Sequence, residues 1–201
     1  MKKGRNAHKR RSIRAWAVIF WLAVWQAVSM ALDQQILLVS PVRVLVRLAG
    51  LAATADFWGA VLFTLLRITA GFLLGAGAGA ALAGLASRFR RVEELLAPAM
   101  LTVKSVPVAS FIILALIWFS SRSLAVLISF LMVLPVVYSS TLGGIRAADR
   151  QLLEMAQVFR IPTLRRVRYL YAPQVFPYFY SASAAALGLS WKSGVAAEVI
   201  G

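Results

Sequence analysis

The sequence predicts an all-α fold, a polytopic transmembrane helical bundle, and three observations carry that expectation. Hydrophobic residues make up 61% of the 201, the mean hydropathy is +0.79, and uncharged runs recur at the length of ~20 residues that crosses a bilayer. Soluble domains use far fewer apolar residues. The runs are Ala15–Leu32, 68–87, 105–121, 123–145 and 174–191. Five spans are therefore expected in one cohesive domain, 15–201, behind a basic cytoplasmic tail, 1–14.

The net charge is +15, which in a soluble chain would point to nucleic acid. Its distribution points to topology instead. Seven basic residues precede the first run (Lys2, Lys3, Arg5, Lys9, Arg10, Arg11, Arg14), three cluster at Arg88, Arg90 and Arg91, and six lie between Arg146 and Arg168. With the N-terminus inside, all of these fall on the cytoplasmic face, and only Arg43, Arg47 and Arg122 fall outside. That asymmetry obeys the positive-inside rule, and no nucleic-acid partner is expected.

The first run is longer than the apolar core of a signal peptide and no small-x-small cleavage site follows before Asp33, so it is expected to be a retained anchor helix. Pro41 opens a short amphipathic helix bearing Val42, Leu45, Val46 and Ala49. In the second run Gly71, Gly75 and Gly79 recur every fourth residue. In lipid such a face lets helices approach closely, either within the bundle or across a homodimer or gating seam. Residues 87–94 read as a short basic turn. The third span, starting near Leu95, carries Pro98 and Pro107 and the fourth carries Pro135, each expected to kink or break its helix. Arg122 marks the tip of an external hairpin between them.

Residues 149–172 form a polar, arginine-rich insert with apolar residues at helical spacing. Asp149 can cap a helix in which Leu152, Met155 or Ala156, and Phe159 share a face. Pro162 stops it, and Thr163 can cap a second helix that sets Leu164, Val167 and Leu170 opposite Arg165, Arg166 and Arg168. Such a pair can lie on anionic membrane lipid or press into a groove of another protein; the residues alone leave both open.

The spacing within the insert resembles the cytoplasmic EAA loop of ABC importer permeases, the binding-protein-dependent transport inner-membrane components. That pattern runs Glu-Ala-Ala, three residues, Gly, nine residues, Ile-x-Leu-Pro; Glu154, Ala156, Leu170 and Pro173 fall on its Glu, second Ala, Ile and Pro positions. Met155 replaces the first Ala. Arg160 replaces the Gly, which supplies a positive φ, so the turn is expected to lean on Ile161-Pro162 instead. Further stretches resemble the nitrate/sulfonate/taurine branch: Leu66-Arg67-Ile68-Thr69-Ala70-Gly71-Phe72, Val106-Pro107-Val108-Ala109 followed by Leu116-Ile117-Trp118-Phe119, and Ser190-Trp191-Lys192 with Ala196-Ala197-Glu198. The likeness covers 57–201.

The resemblance implies a type I importer permease fold with a coupling loop at about 146–173, and a sixth span missing from the five present. It implies ATPase coupling through Glu154, Ala156, Arg160, Leu170 and Pro173. It also implies a cytosolic ATP-binding subunit, an external substrate-binding protein, a second permease copy as homodimer partner, and a small oxoanion such as an alkanesulfonate, taurine or nitrate as cargo. Arg67, costly inside a span, Lys192 and Glu198 are candidate pathway residues; Glu198 can pair with Lys192 or Arg67. Arg67 can instead play a structural part, snorkelling or bonding carbonyls, and Lys104 and Lys192 can also snorkel.

Catalytic chemistry is disfavoured. The spans hold no carboxylate pair, no histidine and no cysteine, and the chain's only histidine, His8, sits in the basic tail. No Walker A pattern occurs, so ATP hydrolysis falls to a partner. No cofactor or metal is expected. The alternative is a non-transporting membrane scaffold or a truncated, inactive permease copy.

Overall fold

The computed structural model describes residues 15–32 and 38–201, with Ser121 and Arg122 described in backbone only. Among these residues the secondary structure is entirely helical. The basic tail 1–14 lies outside the described residues. The chain divides into two units, 1–60 and 61–201.

In the first unit, α1 (Ala15–Leu32) is apolar all round and buries no residue, as a lipid-facing helix does. Helix α2 (Pro41–Ala52) starts at the expected proline, with the Ser40 hydroxyl accepting from Arg43 N. Val42, Leu45 and Val46 are exposed on it.

The second unit is organised around α6 (Ser121–Arg146). It is the most buried of the span-length helices and contributes to all three apolar clusters. Leu124, Ile128 and Met132 meet Ile112 and Ala197; Val133 and Val137 meet Ala76 and Ala186; Tyr138 and Leu142 meet Ala83, Ala86 and Met100. Helix α3 (Ala55–Arg88) lies against it along the glycine face. A Cβ on Gly71 would meet Val126 O and stand 2.8 Å from Ser129 Cβ, one on Gly75 would stand 2.9 Å from Phe130 O, and one on Gly79 2.8 Å from Leu134 O. Gly77 and Gly84 have nothing within 4 Å. The four-residue repeat is thus spent on packing α3 against the backbone of α6.

The third expected span, 105–121, is not one helix. Helices α4 (Arg90–Ser105) and α5 (Val108–Leu116) are bent by 101°. Val106, before Pro107, is extended (φ −85°, ψ 132°), because the proline ring disfavours a helical residue ahead of it. Its N–H closes α4 on Thr102 O, and Pro107 O opens α5 by accepting from Ser110 N. Pro98 and Pro135 remain inside α4 and α6. The expected turn at 87–94 shrinks to Phe89, and Arg122 falls in the first turn of α6.

Among the described residues three helices are long and apolar enough to cross a membrane, four if the bent α4–α5 pair counts as one, against the five expected. The remaining run, 174–191, lies in α9 (Ala172–Ile200), whose 29 residues suffice in length. Its polar content lowers its hydropathy because part of it is interior: Ser190 and Ser193 are buried, and Ser129 donates to Ser190 O. At Gly194 a Cβ would stand 2.7 Å from Ile68 of α3 and 2.7 Å from the Ser129 hydroxyl of α6. Three helices converge there.

Candidate functional site

Between α6 and α9 lies the insert. Helix α7 (Arg150–Val158) is capped as expected, Asp149 accepting from Gln151 N at 2.8 Å. Its end closes on Arg160, which adopts φ +50°, the one non-glycine positive φ among the described residues. Arg160 N donates to Gln157 O and Ile161 N to Ala156 O, both at 2.9 Å, the paired bonds of a Schellman ending. The turn does not lean on Ile161-Pro162, as the sequence suggested. Arg160 itself takes the left-handed conformation, since the helix carbonyls need those two N–H groups and only a positive φ aims them inward.

Helix α8 (Thr163–Arg166) follows Pro162; Thr163 is its first residue and not its cap. The second amphipathic helix is not separate either. It continues through a π-helical turn, Val167–Tyr171, directly into α9. A π turn absorbs one extra residue, here just ahead of Pro173, which has no N–H to donate. Gln174 braces the junction: its Oε1 accepts from Asp149 N at 2.8 Å and its Nε2 donates to Leu170 O at 3.0 Å. Sequence reasoning missed Gln174, since nothing in its spacing marks a side chain that ties the start of α7 to α9.

The predicted coupling residues fall on this frame with different environments. Glu154 is exposed and forms no ion pair with Arg150. Ala156 is fully buried under the turn. Leu170 is half-buried in the π turn, and Pro173 is exposed as the second residue of α9. Val158 (79% exposed), Phe159 (72%) and Leu164 (81%) project apolar side chains from both arms.

The second cluster lies in the bundle. Arg67 Nη1 meets Glu198 Oε1 at 2.9 Å, and both side chains are mostly buried. The Thr64 hydroxyl donates to Glu198 Oε2 at 2.5 Å, and the Arg67 guanidinium lies 5.0 Å from the Phe63 ring centroid. Of the two partners open to Glu198, the fold selects Arg67. Lys192 is exposed on α9 and joins no ion pair among the described residues. Lys104 donates to the Ser139 hydroxyl of α6 at 2.9 Å. Among the described residues no group of His, Cys, Asp and Glu could hold a metal ion.

The described residues thus pair a helical bundle with an amphipathic insert ahead of α9. The chain belongs to the family of binding-protein-dependent transport system inner membrane components, which matches residues 71–201. It is similar to the putative aliphatic sulfonates transport permease protein SsuC of Bacillus subtilis, 28% identical over 90% of this chain and 66% of the relative. The Escherichia coli protein of the same name is 29% identical over 89% of this chain and 69% of its own length. The riboflavin transport system permease protein RibX of Chloroflexus aurantiacus is 28% identical over 89% and 68%. The chain thus spans about two-thirds of the length of these curated relatives. Family and helices together define a multi-pass membrane protein.

Proposed function

We propose that this chain is the permease subunit of an ATP-driven importer, with residues 15–201 as its transmembrane domain and its N-terminus in the cytoplasm. A cytosolic ATP-binding subunit seats on the insert, a second permease copy completes the pathway, and an external binding protein delivers the cargo. The observation that carries this is the exposed trio Val158, Phe159 and Leu164 beside Glu154, on an insert hydrogen-bonded to the bundle through Asp149 and Gln174. A surface that is apolar at its centre and basic at its edge suits a protein groove.

Movement of the ATPase would reach the bundle as a rigid-body motion. The continuity of α8, the π turn and α9 supports this, because one helical run joins the docking arm to Glu198. Arg67 and Glu198 line the pathway in this scheme, and Lys192 stands on the same helix as Glu198. An anionic cargo such as an alkanesulfonate, taurine or nitrate would compete with Glu198 for Arg67. The names of the relatives support this cargo class.

Replacing Glu154 with arginine tests the proposal. In proteoliposomes holding the chain, its ATPase and its binding protein, E154R should insert normally and lose most substrate-stimulated ATP hydrolysis. Unchanged stimulation would overturn the coupling role.

A further inference from the structure

Where the insert folds back under the bundle, a cavity of about 600 Å³ opens between the ends of α3 and α6 and the arm formed by α8 and the π turn. Its lining includes Arg88 from α3, Ile145 from α6, and Thr163, Arg166, Val167 and Tyr171 from the arm. No carboxylate is among the lining residues described. The Arg146–Glu93 ion pair is formed by residues outside the lining. Two arginines thus line one cavity whose described lining carries no carboxylate, and the Arg88 guanidinium lies 5.8 Å from the Phe89 ring centroid.

Arg166 is held in place by donating from Nη2 to Ile161 O at 3.3 Å. Its Nε is buried and has no hydrogen-bond partner among the described residues. A buried guanidinium N–H left without an acceptor is costly, which leaves Arg166 short of partners at the edge of the cavity. Thr163 and Tyr171, also in the lining, carry neutral hydroxyl donors. Two arginines with flanking hydroxyls match the tetrahedral, multiply accepting shape of a phosphate.

The geometry points to a binding site for a phosphate-bearing anion in this cavity, held by Arg88 and Arg166. The occupant is an acidic phospholipid headgroup or free phosphate, both of which present the same oxygens. When filled, the site would tie the insert's arm to the ends of α3 and α6. It would thereby set how firmly the arm rests on the bundle. This inference is independent of the transport reading, since it concerns only what the cavity holds.

The test uses the full chain in phosphatidylcholine nanodiscs and follows thermal unfolding by intrinsic tryptophan fluorescence. One arm replaces part of the lipid with phosphatidylglycerol; a second adds inorganic phosphate, with sodium chloride at equal ionic strength as control. Stabilisation by phosphatidylglycerol alone identifies the headgroup, and stabilisation by phosphate identifies the free ion; either supports the site. In the effective arm, R88Q and R166Q should each weaken apparent affinity about tenfold, the loss of one charge-assisted contact. R165Q, which alters a neighbouring charge outside the lining, should leave it unchanged. Arg88 is exposed, so R88Q folds even if R166Q does not. No stabilisation in either arm, or an equal loss in R165Q and R88Q, would overturn the inference.

Discussion

The Arg67–Glu198 pair offers the most quantitative test of the bundle. In Glu198→Gln the carboxamide keeps the shape and can still accept from Thr64, but Arg67 loses the Glu198 counter-charge. Removing one partner of a fully buried pair costs roughly 3–5 kcal/mol. Here the side chains retain 14% and 19% exposure, so water recovers part of that, and about 2–3 kcal/mol is expected. For a chain of this length each kcal/mol moves the midpoint by ~2–4 °C, giving a fall of roughly 4–12 °C. Arg67→Met should lower it by a similar amount, leaving Glu198 with Thr64 alone. The double variant Arg67→Met/Glu198→Leu removes both charges and should return to within ~1 kcal/mol of the parent. The assay is thermal unfolding in nanodiscs of fixed composition, read as a double-mutant cycle with a coupling of about 2 kcal/mol or more. If the double variant loses the sum of the two single losses, the pair is not an interacting unit and the reasoning fails. A double variant that regains stability but not transport would place these residues in the pathway.

Two further outcomes follow from backbone geometry. Gly71→Ala pushes a methyl into Val126 O and Ser129, so a loss of ~1–3 kcal/mol in the same thermal assay is expected; Gly77→Ala and Gly84→Ala meet open space and should be neutral or stabilising. Equal effects at Gly71 and Gly77 would refute the seam between α3 and α6. Arg160→Gly relieves the left-handed conformation of a side-chain-bearing residue and should raise stability by about 1 kcal/mol, whereas Arg160→Val should lower it. Cleavage of the insert by trypsin-independent proteases such as thermolysin, slower in R160G and faster in R160V, measures this.

Much of the candidate site was legible because its residues act locally. Asp149 caps α7 through a bond to Gln151, two residues away, and Pro107 breaks its span through a clash with its own neighbour. The spacing from Glu154 to Pro173 was likewise readable along the chain. The conformation of Arg160 was harder, because residue preference argued for the turn to move to Ile161-Pro162. The carbonyls of Ala156 and Gln157 outweighed that preference by demanding two N–H donors at one place. Gln174 was invisible, since its partners Asp149 and Leu170 belong to elements that meet only once the insert has folded back.

From the sequence alone follow the helical class, the apolar runs, the Asp149 cap and the break at Pro107. These depend on composition and on forces acting within a few residues. Only the tertiary structure decided which face of α3 meets α6, that Glu198 takes Arg67 as its partner, and that Arg88 and Arg166 share a cavity. Those pairings join residues far apart in the chain, and a buried charge or a closely approached backbone is settled by what packs beside it.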